Sequence, residues 1–170
     1  MSLHKENAFE AEICEHLAAN GWLYNPATGE ASDAAKYDRA RALFPADVVA
    51  WVKASQPEAW DTLTGMHGGE SGAEKVLLDR LRATLDQPGG VGTLGVLRKG
   101  FDVLGLRRSV AVAQFRPALA MNPDIEARYT ANRLRVVRQV RYSKHSEKSI
   151  DLVLFLNGLP VATVELKTDF

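Results

Sequence analysis

The feature that most constrains the fold of this chain is an apolar segment that runs directly into a tight turn. Residues 150–156 (Ile-Asp-Leu-Val-Leu-Phe-Leu) are apolar at every position except Asp151. Such a run predicts a β-strand that is covered on both faces. Asn157-Gly158 follows at once, and this pair is typical of a hairpin turn. Residues 161–167 then form the predicted return strand.

Before this hairpin, the sequence predicts helices first and strands afterwards. Hydrophobic residues at helical spacing predict a helix over 7–19, and Pro45 and Pro57 stand where two others can begin. The further predicted helices are 34–43, 46–54, 57–63, 73–85 and 94–104, and the further predicted strands are 110–115 and 134–142. The fold class is therefore α/β (α+β), with a mainly antiparallel sheet flanked by helices. We expect one domain over 1–170, with a helical subregion at about 34–105 and a sheet at about 109–170.

Composition excludes several classes of protein. The chain has 170 residues, 46% of them hydrophobic and 25% charged, as in ordinary globular proteins. Its single cysteine, Cys14, cannot form an internal disulfide, which fits a reducing compartment. No apolar run approaches the roughly 18 residues of a membrane span, and the glutamates near the N-terminus do not suit a signal peptide. We therefore expect a cytoplasmic protein with no membrane partner.

The net charge of zero hides an asymmetry along the chain. Residues 1–85 carry 8 basic and 13 acidic side chains, whereas residues 86–170 carry 13 basic and 8 acidic ones. The basic side chains are densest between 128 and 148, which makes this segment a candidate surface for contacts with phosphate groups. A charged strand edge that blocks aggregation would show the same pattern. The candidate DNA-binding residues are Arg133, Arg135, Arg138, Arg141, Lys144 and Lys148.

Three other chemistries are disfavoured. Gly90, Gly92 and Gly95 match G-x-G-x-x-G, but a predicted helix precedes them where a dinucleotide site needs a strand. The chain contains no P-loop motif for ATP. Its four histidines are scattered, and one cysteine is too few for a typical zinc site.

The predicted hairpin carries a combination of residues that suits phosphodiester hydrolysis. Asp151 lies near the start of the apolar strand, and Glu165 and Lys167 lie two apart on the return strand. Two facing carboxylates can hold Mg²⁺, which prefers oxygen ligands, and a lysine nearby can orient the attacking water. The pattern D-x13-E-x-K also fits an ordinary surface strand with an aspartate at its end.

The strand register decides whether this site can form. With a regular two-residue turn at Asn157-Gly158, Asp151 would lie opposite Val164, and Glu165 would point to the other face. A one-residue offset places Asp151 opposite Glu165. We predict this offset, and Pro160, which lacks an N–H, is a suitable place for irregular pairing.

Glu10 is a further candidate. In the helix predicted over 7–19 it projects between Ile13 and Cys14, on the apolar side. A carboxylate there either points at a site or lies, solvated, at the edge of the apolar face.

These residues resemble a known family. The run 149–167, SIDLVLFLNGLPVATVELK, is similar to the hallmark of the R (restriction) subunit of type I restriction-modification enzymes. The segments 132–143 (NRLRVVRQVRYS), 97–105 (LRKGFDVLG) and 8–22 (AFEAEICEHLAANGW) are similar to other parts of it. The resemblance covers essentially the whole chain and implies the N-terminal endonuclease domain, with a PD-(D/E)xK restriction-endonuclease-like core.

The resemblance also implies roles. Asp151 and Glu165 would bind Mg²⁺, Lys167 would complete the catalytic motif, and Glu10 would correspond to a helical glutamate of that nuclease fold. DNA would be cut after ATP-driven translocation by a motor absent from this chain, in a complex with modification and specificity subunits. The latter would recognise the DNA sequence.

The chain departs from the family pattern at two points. Ile150 stands where that pattern has proline, and the family's downstream Gln-x-x-x-Tyr motif lies beyond Phe170. We therefore expect a C-terminally truncated fragment, weak or inactive alone. The alternatives are a non-catalytic nucleic-acid-binding or docking module with a decayed site, and another PD-(D/E)xK enzyme such as a junction resolvase.

Overall fold

The structure, a computed structural model, describes residues 2–119 and 121–167, with side chains from residue 7 onward. The described residues form seven α-helices, one short 3-10 helix (Gly29–Ala31) and one three-stranded sheet. The helices are α1 Ser2–Ala19, α2 Asp33–Lys36, α3 Pro45–Ser55, α4 Pro57–Met66, α5 Glu70–Leu85, α6 Gly92–Lys99 and α7 Pro123–Thr130. The strands are β1 Leu134–Arg141, β2 Ser149–Leu156 and β3 Leu159–Val164. The predicted mixed α/β class is confirmed.

The chain divides into two compact units, residues 1–44 with 133–170, and residues 45–132. The first holds the sheet together with α1 and α2, and the second holds the remaining five helices of the described chain. The helical subregion expected at about 34–105 and the sheet expected at about 109–170 stay predictions. None of the helices in the described ranges has the length and apolar character needed to cross a membrane.

In the first unit, β2 is the central strand and pairs antiparallel with β1 and β3. Its alternate side chains enter two separate hydrophobic clusters. Val153 and Phe155 pack with Phe44, Val137 and Val140, whereas Leu152 packs with Cys14 and Val136. Coverage on both faces explains why this strand is almost entirely apolar, as predicted.

Helix α1 covers the second of these faces. It begins before the predicted residue 7 and ends as predicted at Asn20-Gly21, where Gly21 has a φ of +88°. Cys14 is fully buried, which confirms its expected place in the core. Beyond the helix, Leu23 pairs with β1, since its N–H donates to Leu134 (2.8 Å) and its carbonyl accepts from Val136 (3.1 Å). This pairing holds the end of α1 beside the outer edge of β1.

Two predicted elements of this unit differ from the structure. The helix predicted over 34–43 is limited to α2, because the Asp38 side chain accepts hydrogen bonds from the N–H groups of Ala40 and Arg41. Asp38 also pairs with Leu43 across the resulting turn. The return strand, predicted to reach residue 167, ends at Val164.

In the second unit, α3 and α4 begin at the two prolines, as predicted. The connection between these helices and the next is short, because α4 continues to Met66 and α5 begins at Glu70. The strand predicted over 110–115 is wrong. Val110 forms only an isolated bridge with Phe101, so the alternating residues after it have no partner strand.

Candidate active site

The pairing of β2 with β3 contains the predicted one-residue offset. Next to the turn, Leu156 pairs with Leu159 and Phe155 with Pro160. The following pair joins Leu154 to Ala162, so Val161 is an extra, bulged residue directly after Pro160. The prediction of irregular pairing at this proline is confirmed.

The turn itself is regular. Asn157 and Gly158 have φ values of +48° and +84°, as a two-residue turn of type I′ requires. Asn157 is buried, and its side-chain oxygen accepts a hydrogen bond of 2.6 Å from the backbone N–H of Arg133. The carbonyl of Gly158 accepts from the N–H of Phe44 (2.9 Å). The turn is thus fixed within the unit, and the offset arises only at the bulge.

Beyond the bulge, the shifted register continues to the end of β3. Leu152 pairs with Val164 there, so the same register, extended by one residue, would place Asp151 opposite Glu165. The N–H of Leu166 donates to Oδ2 of Asp151 at 2.7 Å, so the chain still lies beside β2 after β3 has ended. Glu165 and Lys167 are exposed and Leu166 is half-buried, so the alternation also continues past Val164.

Glu10 contributes from α1. It is 2% exposed, so the alternative of a solvated glutamate at the edge of the helix is wrong. Its carboxylate accepts a 2.9 Å hydrogen bond from Arg138 at Oε2 and a 2.7 Å bond from Gln139 Nε2 at Oε1. Each carboxylate oxygen is therefore held by one residue of β1.

Gln139 connects Glu10 to Asp151. Its Nε2 also donates to Oδ1 of Asp151 at 3.3 Å, and its Oε1 accepts a 2.7 Å bond from the hydroxyl of Ser149. One amide group thus lies between the two carboxylates. Sequence reasoning missed both Gln139 and Ser149, since neither residue has a local sequence signal that indicates these contacts.

The backbone at Gln139 is unusual as well. Its φ is +50°, in the left-handed region that non-glycine residues rarely adopt. Val137 and Val140 lie three positions apart yet share one hydrophobic cluster, so the alternation of β1 breaks between them. On β2, Leu152 lies in the cluster that contains Cys14, whereas Ile150 packs against the cluster that contains Phe44. The alternation of side chains along β2 therefore breaks at Asp151. Strained backbone of this kind is concentrated at functional sites.

The electrostatics follow from burial and pairing. Burial opposes the charge of Arg138, but hydrogen bonds to Tyr24 and Glu10 outweigh it and raise the pKa of the guanidinium above its ordinary value. Burial raises the pKa of the neighbouring Cys14 thiol to about 11. The thiol therefore stays protonated at neutral pH and is not a nucleophile there.

The donor set suits a hard divalent cation. Asp151 and Glu165 supply carboxylate oxygens, the ligands that Mg²⁺ prefers. Within the described ranges, no three His, Cys, Asp or Glu side chains lie close enough together to hold a metal. Two carboxylates nevertheless suffice for Mg²⁺, which commonly keeps several waters and takes its other ligands from substrate phosphates.

The predicted DNA-binding residues do not form one uniform stripe. Arg135 makes a salt bridge to buried Asp33, and its guanidinium lies 4.3 Å from the centre of the Phe44 ring. Arg138 is paired with Glu10, and Arg133 is half-buried. The exposed members of the set are Arg141, Lys144 and Lys148. The solvent-facing charge is thus concentrated at the end of β1 and in the connection to β2.

Comparisons with known proteins identify the family of this chain. A comparison with curated proteins and another with solved structures give no match. The sequence model of one family, described as type I restriction enzyme R protein N terminus (HSDR_N), matches residues 5–170. This match spans the sheet, the hairpin and the helical unit. The chain therefore belongs to the family of type I restriction enzyme R protein N-terminal domains.

Proposed function

We propose that this chain is the Mg²⁺-dependent DNA endonuclease domain of its R subunit. The observation that carries the proposal is the bulge at Val161, which shifts the register so that its extension by one residue would place Asp151 opposite Glu165, with Lys167 on the same exposed side as Glu165. A regular hairpin would have separated these carboxylates. Membership of the restriction-enzyme family supports the reaction class.

In this proposal, Asp151 and Glu165 hold the cation, and the ammonium group of Lys167 orients the attacking water. The bound metal would lower the pKa of its water and stabilise charge on the phosphoryl group. The oxygen of water would bond to phosphorus as the bond to the leaving oxygen of the DNA strand breaks, with one proton of the water passing to solvent and the leaving oxygen taking up a proton from solvent. The Leu166 N–H and the Gln139 amide fix the Asp151 carboxylate on two sides.

Glu10 acts as a positioning residue in this account. Both of its oxygens already accept hydrogen bonds, from Arg138 and Gln139. Its charge is thus balanced within the unit, and its effect on the reaction passes through Gln139 to Asp151.

The substrate follows from the same surface. The exposed basic residues near the site contact the DNA backbone, which supplies affinity without reading sequence. Translocation by an ATP-driven motor and recognition by the specificity subunit then decide where DNA reaches the site. Both lie outside this chain.

The test is cleavage of plasmid DNA by the assembled restriction complex that carries this domain. We expect Asp151→Asn, Glu165→Gln and Lys167→Ala each to reduce cleavage by at least about a hundredfold while ATP hydrolysis continues, because each removes a group acting at the reacting phosphate. Glu15→Gln, at an exposed position on α1, is the matched control and should cleave normally.

The rival function is a docking or nucleic-acid-binding module whose nuclease site has decayed. It predicts that the three substitutions leave cleavage unchanged. Cleavage that is insensitive to Asp151→Asn would contradict the proposed function. Loss of cleavage together with ATP hydrolysis would do so as well, because it would give Asp151 a structural role instead.

A further inference from the structure

A cavity of about 670 Å³ lies on the outer side of β1 in the first unit. One wall is formed by residues between 24 and 39, and the other by residues 137–139 and Arg141 of β1. This volume is in the range of sites that bind small molecules or a segment of a larger ligand. The sequence motifs do not account for this cavity.

Two arginines of this cavity converge on one carboxylate. Glu147, in the connection between β1 and β2, lies 2.7 Å from Arg141 and 3.9 Å from Arg39. Arg39 follows α2, whereas Arg141 ends β1, so two separate segments supply the guanidinium groups. Guanidinium groups from two segments aimed at one anion form the kind of arrangement that binds phosphate.

The carboxylate that they share is easily displaced. The side chain of Glu147 is 72% exposed, and those of Arg141 and Arg39 are 59% and 33% exposed. Ion pairs at such exposure contribute little to stability, because water and salt screen them. A phosphate can therefore replace Glu147 without unfolding any element of the unit.

The cavity also adjoins the candidate active site. Arg138 and Gln139 line it, and these are the residues that contact Glu10 and, through Gln139, Asp151. An anionic strand bound at Arg39 and Arg141 would thus run along β1 towards the Asp151 carboxylate.

We propose that Arg39 and Arg141 bind a backbone phosphate of DNA at this cavity, and that Glu147 occupies the position of that phosphate when DNA is absent. This inference rests on the proposed function for the identity of the ligand. It goes beyond the predicted DNA-binding residues because it adds Arg39 and places one phosphate contact at the cavity. It also identifies Glu147 as a competitor of that phosphate within the chain.

The test is DNA binding by the 170-residue chain, measured by fluorescence anisotropy with a labelled duplex in EDTA, so that no cleavage occurs. Removing the competitor with Glu147→Gln should raise the affinity about two- to fivefold, the effect of an exposed ion pair. Arg39→Gln with Arg141→Gln should lower the affinity and reduce the slope of log affinity against log salt by about one, as for one lost phosphate contact.

A double-mutant cycle distinguishes direct competition between Glu147 and DNA from a general effect of negative charge on DNA affinity. In the Arg39→Gln/Arg141→Gln background, Glu147→Gln should have no effect, because its competitor role needs both arginines. Glu15→Gln is the control for loss of one exposed acidic charge and should change affinity less than Glu147→Gln. An equal gain from Glu147→Gln in both backgrounds would overturn the proposal, and so would no gain in the unaltered chain.

Two further outcomes define the ligand and the scope of the inference. Weaker binding of inorganic phosphate by the Arg39→Gln/Arg141→Gln chain, with its affinity for the duplex unchanged, would overturn the assignment to a DNA strand and indicate a free-anion site. The binding assay contains no metal and measures no cleavage. Its results therefore test the site at Arg39 and Arg141 even if the cleavage experiments contradict the proposed nuclease activity.

Discussion

The backbone N–H of Leu166 donates a hydrogen bond of 2.7 Å to the carboxylate of Asp151. Leu166 lies between Glu165 and Lys167, so the segment that carries these two candidate catalytic groups also holds the third in place. The carboxylate of Asp151 therefore has a structural role as well as the proposed catalytic one, and different substitutions separate the two.

Asp151→Asn and Asp151→Ala should differ in stability, although we expect both to reduce cleavage strongly. The asparagine oxygen can still accept from Leu166, whereas alanine leaves this N–H without its acceptor. We expect Asp151→Ala to be less stable than Asp151→Asn by about 1 kcal/mol, the usual contribution of one such hydrogen bond. Urea denaturation of the two variants measures this difference. Equal stabilities would mean that the hydrogen bond from the Leu166 N–H to Asp151 does not stabilise the fold.

Insertion of one alanine between Thr163 and Val164 should move every later residue of the return segment by one position. Glu165 would then leave the position opposite Asp151 and point to the other face of the sheet. We expect cleavage by the assembled complex to be lost while DNA binding is retained. Deletion of Val161 is the matched control, since it removes the bulge but keeps every pair beyond it, so it should leave Glu165 opposite Asp151 and preserve cleavage. Normal cleavage after the insertion would show that this register does not build the site.

The strained backbone of Gln139 allows its side-chain and main-chain effects to be separated. Glycine adopts the φ of +50° freely, whereas alanine is disfavoured there. Gln139→Gly should therefore be more stable than Gln139→Ala by about 1 kcal/mol. Both variants lose the contacts to Glu10 and Asp151, so both should bind Mn²⁺ more weakly in isothermal titration calorimetry. Unchanged Mn²⁺ affinity in both variants would show that Gln139 does not position Asp151 for metal binding.

The buried thiol of Cys14 predicts a pH dependence of stability. Burial raises its pKa from the usual 9.0 to about 11, so above pH 9 the unfolded chain loses its proton before the folded one does. This contribution to stability is complete below pH 9 and declines between pH 9 and 11, by up to about 2 kcal/mol. Unfolding free energies across this range measure it, with Cys14→Ala as the control that lacks this titration. Equal slopes for both proteins would mean that the thiol ionises normally in the fold.

Local signals in the sequence predicted most of the sheet. Asn157-Gly158 adopts two positive φ values that few other pairs allow, and the apolar run before it requires cover on both faces. Pro160 marked the position of the irregular pairing. The N-cap Asn122 and the following Pro123 signal the start of α7, and these same cues could have predicted that missed helix.

Contacts between distant parts of the chain were not predictable in the same way. Gln139 meets Glu10 across 129 positions of sequence, and nothing near either residue indicates the other. Likewise, residues 110–115 alternate like a strand, but a strand also needs a partner, which only the folded chain decides. The helix predicted over 34–43 failed because one side chain, that of Asp38, satisfies the backbone of a turn instead.

The proposed nuclease depends on a metal ion held by Asp151 and Glu165 together. The most direct measurement is anomalous diffraction from crystals of this chain grown with a short DNA duplex and soaked in Mn²⁺. We expect a peak at roughly 2.0–2.2 Å from oxygens of both carboxylates, with a DNA phosphate among its other ligands. A peak bound to only one of these carboxylates, or no peak between them at saturating Mn²⁺, would contradict it.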